Sequence, residues 1–213
     1  MKKIYDSYIK NEIKLEKWQI VGVIFLVVVS AGIIGWIYEY IFYFFNSGMK
    51  KFYWRGANFL PWINIYATGS LMIIILTKKL KQKPILVFMV SLISTGILEY
   101  ISGLFMYKLG GLRCWNYNTE ILNFGNIGGF VCLRSVLCFA TSALLLVYII
   151  VPFFIYLSKK INKKVFLFIS IFLFTVFISD ELYNLVVARV LNLPRASNIY
   201  KELGISYMNY YKN

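Results

Sequence analysis

Residues 18–45 read WQIVGVIFLVVVSAGIIGWIYEYIFYFF, an unbroken apolar stretch interrupted by one charge, Glu39. As a helix rising 1.5 Å per residue it would be roughly 40 Å long, more than the hydrocarbon core of about 30 Å. Such a helix must tilt or reach into the headgroup layer. Four further runs follow, at about 59–77, 84–107, 131–157 and 165–190. None shows the short 3.6- or 2-residue alternation of a half-buried soluble element. Tyrosine and tryptophan gather near the run ends, as an interfacial aromatic belt requires. Pro84 opens the third run at the favoured first-turn position, and Pro152 is placed to kink or end the fourth.

The expected fold is an all-α integral membrane protein, a bundle of about five transmembrane helices, or six with a re-entrant segment. Residues 1–17 form a basic N-terminal segment, either a plain orienting tail or a short amphipathic surface helix. Residues 18–190 form one transmembrane domain, and 191–213 a polar, tyrosine-rich tail. The composition agrees: 60% of the residues are hydrophobic and only 15% charged, where a soluble domain carries about a quarter.

The net charge of +14 is distributed in clusters. Lys2, Lys3, Lys10, Lys14 and Lys17 precede the first run. Lys78, Lys79, Lys81 and Lys83 join runs two and three, and Lys159, Lys160, Lys163 and Lys164 join runs four and five. With five spans these clusters share one side, which the positive-inside rule makes cytoplasmic. The reading is a multi-pass protein of the plasma membrane with a cytoplasmic N-terminus and a retained first span. Clustered lysines without a recognisable nucleic-acid-binding motif exclude nucleic acid as the expected partner; the lipid bilayer is the partner expected.

Chemistry is narrowed by absences in the sequence. There is no histidine, so no Ser-His-Asp or Cys-His arrangement and no imidazole-dependent metal site. Cys114, Cys132 and Cys138 have no CxxC spacing and read as packing residues. No phosphate-binding G-x-x-x-x-G-K-[ST] loop occurs. The chain is read as a non-enzyme without cofactor or metal, and any ATPase would be a separate subunit.

Ionisable residues inside the runs are the informative feature. Glu39, Glu99, Asp180 and Glu181 facing lipid at depth would cost on the order of 10 kcal/mol together. They are expected to face protein or water, in one outer half-membrane layer with Arg134 and Asn64. In a structural reading, Glu39 or Glu99 pairs with Arg134 and locks the bundle. In a functional one the layer lines a polar cavity, net negative and suited to a cation, an amine or a proton. The loops at about 46–58 and 108–130 add Arg55, Arg113, Trp115, Tyr117 and Asn126, able to anchor at the interface or meet anionic headgroups. Ala31 with Gly35, and Ser91 with Thr95, have the four-residue spacing of small residues that permits close helix contact.

Several of these pieces together resemble the CmpB-type family of ABC-transporter permeases, type IV. They are Gly35-Trp36-Ile37-Tyr38-Glu39, Trp54-Arg55-Gly56-Ala57, Pro61 with Ile65-Tyr66-Ala67-Thr68-Gly69, Glu99-Tyr100, Arg113-Cys114-Trp115-Asn116-Tyr117, and Asn126 and Gly129 before Cys132-Leu133-Arg134-Ser135. The resemblance covers about residues 30–155. Asn116 stands where the family has an aspartate, and Phe130 where an arginine is expected. The resemblance implies a membrane subunit of a transporter, working with a separate ATPase in a homo- or hetero-oligomer. The alternatives are a non-transporting assembly, regulatory or sensor protein, and a membrane-embedded enzyme acting on lipid.

Overall fold

The computed structural model describes residues 1–205 and 211–212, with Gly110, Leu112 and 211–212 described as backbone only. In chain order the helices are α1 (Lys2–Ile9), α2 (Lys17–Asn46), α3 (Asn64–Thr77), α4 (Pro84–Gly110), α5 (Leu133–Leu145), α6 (Val151–Lys160), α7 (Lys163–Leu182), α8 (Ala188–Val190) and α9 (Ala196–Glu202). A two-residue strand, β1 (Leu112–Arg113), pairs antiparallel with β2 (Tyr211–Lys212). π-turns at Leu146–Ile150 and Tyr183–Val187 join α5 to α6 and α7 to α8.

Four helical stretches are long and apolar enough to cross a membrane: Lys17–Asn46, Pro84–Leu109, Leu133–Lys160 and Lys163–Val190. The expected count of five or six is not reached among the described residues. Run two is helical only from Asn64 to Thr77, 14 residues, about 21 Å at 1.5 Å per residue. Its first residues, 59–63, stay out of the helix because their backbone is engaged elsewhere, as shown below. Pro84 does open α4, and Gly111 closes it in the left-handed region at φ 59°, where a side chain is disfavoured. Pro152 does not end its helix. The π-turn before it absorbs the missing N–H by widening the hydrogen-bond register, so the run continues to Lys160.

The chain packs as two compact units. One comprises Met1–Leu71 with the described part of Tyr148–Met208; the other comprises Met72–Val147 with the 211–212 backbone. In the first, α2 packs against α6 and α7. Val28, Val29, Trp62, Ala67 and Phe177 form a core cluster. Close approach is set by glycine: a Cβ on Gly35 would lie 2.2 Å from Tyr66 Cγ, and one on Gly22 2.5 Å from the Phe166 ring. α2 begins with a capping box between Glu16 and Gln19. The N-terminal segment is more than a tail, since α1 packs on α6 with Tyr8 buried.

In the second unit α4 packs on α5, with Val87, Ala140 and Ala143 fully enclosed. Ser91 and Thr95 are buried too, and Thr95 Oγ1 donates to the Ser91 carbonyl at 2.7 Å. Lys81, in the turn before α4, is 7% exposed. Burial, with Lys78 nearby, lowers its ammonium to about 8. The folded value lies below the unfolded one, so the unfolded chain binds more protons between them and stability rises as pH climbs from about 8 toward 10.4. Reductive ¹³C-methylation should give a lysine NMR resonance titrating near pH 8 that is absent in Lys81→Met. A midpoint above 10 for every lysine would contradict this.

Candidate polar sites

Asp180 and Glu181 lie at the end of α7, both at least nine-tenths buried. Asp180 Oδ1 accepts from the Phe59 amide at 3.0 Å and Oδ2 from the Leu60 amide at 2.9 Å. This explains the shortened α3: two amides bind a side chain, and Pro61 has no N–H for a preceding turn. Asn184 Nδ2 donates to Asp180 Oδ1 at 2.8 Å and to the Asp180 carbonyl at 3.0 Å. That carbonyl lies just before the π-turn, where the backbone ladder changes register and a side-chain donor helps satisfy it. Asn184 Oδ1 in turn accepts from the Ala196 amide at 2.8 Å, tying down the start of α9. Tyr200 on α9 donates its hydroxyl to the Phe59 carbonyl. Its phenol is held above the usual range by burial and by the Asp180 charge.

Glu181 is bound by two carboxamides. Asn58 Nδ2 donates to Oε1 at 2.7 Å and Asn64 Nδ2 to Oε2 at 3.2 Å. Asn64 Oδ1 is occupied by the Thr68 hydroxyl at 2.8 Å. The local chain is bent to allow this: Gly56 has φ +82°, and a Cβ there would sit 2.8 Å from the Trp62 carbonyl. Among the described residues neither Asp180 nor Glu181 has an ion pair.

Glu39, in the same unit, pairs with Arg55 at 2.7 Å, and the guanidinium lies 3.9 Å over the Tyr43 ring. Of the two acids that the structural reading set against Arg134, Glu39 thus has Arg55 as its ion-pair partner. Arg134 binds Glu120 at 2.6 Å in the second unit. The reason is local: the 111–132 loop brings Glu120 to the start of α5.

Glu99, 2% exposed, accepts hydrogen bonds from the Tyr117 hydroxyl and, at 2.7 Å, from Ser135 Oγ. Ser135 Oγ also accepts from the Cys132 amide at 3.2 Å, closing the first turn of α5. Two neutral hydroxyls thus engage this acid. The loop residues turn inward as well. Arg113 donates to Asn116 Oδ1 and the Gly128 carbonyl and covers the Tyr107 and Phe130 rings. Trp115 Nε1 donates to the Phe130 carbonyl at 2.8 Å. Asn126 donates to Asn118 Oδ1 and accepts from the Gly129 amide. Gly129 has φ +80°, and a Cβ there would lie 2.5 Å from Arg113 Nη1.

Asn58, Glu120, Ser135 and Asn184 were not singled out as site residues by the sequence reading. Ser135 lies inside the motif Cys132-Leu133-Arg134-Ser135, and Asn58 directly follows Trp54-Arg55-Gly56-Ala57. Glu120 sits in a loop outside the apolar runs, where a charge draws no notice. Among the described residues no cluster of three metal-ligating side chains forms, and the three cysteines are unbridged.

Removing the Glu99 acceptor should loosen the loop. Glu99→Leu is expected to cost about 1–3 kcal/mol, since the buried Tyr117 hydroxyl loses this acceptor while Ser135 Oγ can still donate to the Cys132 carbonyl at 2.8 Å. Thermal unfolding in detergent and proteolysis at 118–127 would register it; an unchanged melting temperature would refute the assignment. Glu99→Gln, with one acceptor kept, should fall between.

Four membrane-length apolar helices and a short fifth give the chain the make-up of a helical membrane protein. The chain belongs to the family described as "Putative ABC-transporter type IV", whose model matches residues 13–185. No curated relative and no solved structure matches it.

Proposed function

We propose that the chain is the membrane subunit of a transporter-related assembly, and that its polar site is the Asp180–Glu181 cluster with Asn58 and Asn64. The observation that carries this reading is a pair of buried acids in a membrane-length helix with no ion pair among the described residues. An intramembrane acid without a cationic partner is costly as a structural device and marks a substrate or ion path. Glu39 and Glu99, by contrast, are engaged by Arg55 and by two hydroxyls, so they serve as braces in this reading. Family membership supports association with other transporter subunits, and the lack of a phosphate-binding loop assigns ATP hydrolysis to another polypeptide. The N-terminus is cytoplasmic in this proposal, in the plasma membrane, and the chain itself is not an enzyme.

Purification from native membranes in gentle detergents tests the partner. The expected result is a co-purifying polypeptide with a phosphate-binding loop and vanadate-sensitive ATP hydrolysis. Recovery of the chain alone under several such detergents would overturn it. The engagement of Glu39 and Glu99 favours a second reading, a non-transporting assembly or regulatory subunit, which that outcome would leave standing.

A further inference from the structure

We propose that Glu181 and Asn58 hold a dehydrated monovalent alkali cation; this rests on reading the Asp180–Glu181 cluster as the polar site. Asn58 is 2% exposed, and its Oδ1 has no hydrogen-bond partner although the atom is buried. The orientation of its amide is fixed by the donor side, because Nδ2 bonds both Glu181 Oε1 at 2.7 Å and the Trp62 carbonyl at 3.4 Å. Exchanging oxygen and nitrogen would set an acceptor against two acceptors. A planar carboxamide keeps its oxygen about 2.2 Å from its nitrogen. The orphaned oxygen therefore lies within about 5 Å of Glu181 Oε1.

A buried acceptor without a donor is expensive. So is a buried carboxylate whose only partners are two neutral amides. One ion relieves both, since hard cations take carboxylate and carboxamide oxygens together. The valence follows from the neighbour. Both oxygens of Asp180 are taken by the Phe59 and Leu60 amides and by Asn184, so a single carboxylate remains for ligation. Calcium sites commonly draw on several carboxylates, and magnesium on one or two carboxylates together with waters and phosphates. A single negative charge matches sodium or potassium. Arg55, the cation nearest in sequence to Asn58, is committed to Glu39.

The test uses the full chain purified in detergent. Thermal unfolding is followed by tryptophan fluorescence in sodium, potassium or choline chloride at fixed ionic strength, and binding is measured with ²²Na⁺ and ⁸⁶Rb⁺. The expected result is a saturable rise of several degrees with one alkali cation over choline, and about one isotope ion bound per chain, as preferential binding to the folded state requires. Glu181→Gln should abolish both, Asn58→Ser should weaken binding at least tenfold, and Glu12→Gln, at an exposed position, should change neither. If Glu181→Gln does not fold, isotope binding to the wild type and to Asn58→Ser decides. No difference between alkali and choline salts means that Asn58 Oδ1 meets only water, and overturns the proposal. A response to pH alone, without isotope binding, assigns the site to a proton and overturns it as well. An alkali response without any recoverable ATPase leaves the cation site standing and removes the transporter reading; an ATPase complex without an alkali response does the reverse.

Discussion

Asp180→Ala should destabilise the protein by about 3–5 kcal/mol, because one truncation takes an acceptor from three donors in a partly or fully buried setting. The Phe59 and Leu60 amides lose their side-chain acceptor, and Asn184 Nδ2 loses one of its two bonds, keeping the Asp180 carbonyl. Leu60 is partly exposed, so water recovers some of the loss, which caps the estimate. Asp180→Asn should cost less, since one carbonyl oxygen remains while its new NH₂ opposes an amide. Equilibrium unfolding in mixed detergent gives the energies. Hydrogen exchange locates them, with faster exchange at Phe59 and Leu60 in the variant. A loss below 1 kcal/mol would show that the segment holds its shape without the acid.

Gly35→Ala should be nearly as damaging, though it adds one methyl group. The new Cβ would meet three Tyr66 ring atoms at 2.2–2.7 Å, far inside ordinary contact. The obstacle is the base of a ring, with little freedom to swing aside, so helix and ring must separate. Overpacking of this kind costs about 1–3 kcal/mol and sometimes more; the upper end is expected here. Gly96→Ala provides the comparison. Its Cβ would meet a single atom closely, Val136 Cγ1 at 3.0 Å, a contact relieved by a shift of a few tenths of an ångström, and the loss should stay below about 1.5 kcal/mol. Reversal of that order in thermal unfolding would refute the account of helix contact.

Long apolar runs made four of the helices legible, because hydrocarbon thickness imposes a length that no local contact revises. The run at 59–77 is helical only from Asn64 for the opposite reason. Hydropathy counts Phe59, Leu60 and Trp62 as helix material, yet the backbone of 59 and 60 is claimed by an aspartate about 120 residues away. No local pattern encodes that. The acids were legible as costly groups, but their partners were not. Opposite charge suggested Arg134 for Glu39 or Glu99, whereas a carboxylate also accepts hydrogen bonds from hydroxyl or amide donors. Glu99 takes Tyr117 and Ser135, and Arg134 takes Glu120 from a loop that hydropathy ignores. The notable role of Asn58 depends on which face of its amide is used, and that is a property of packing alone.

The bonds from Phe59 and Leu60 to Asp180 span 121 and 120 residues, and this has a meaning in time. At a synthesis rate of about 5–20 residues per second, their acceptor reaches the membrane about 6–24 seconds after the amides do. Through that interval the half-made protein displays two bare amides and two waiting asparagines. A nascent chain halted before α7 therefore bears a visible mark of incompleteness, which vanishes only when the last membrane-length helix arrives.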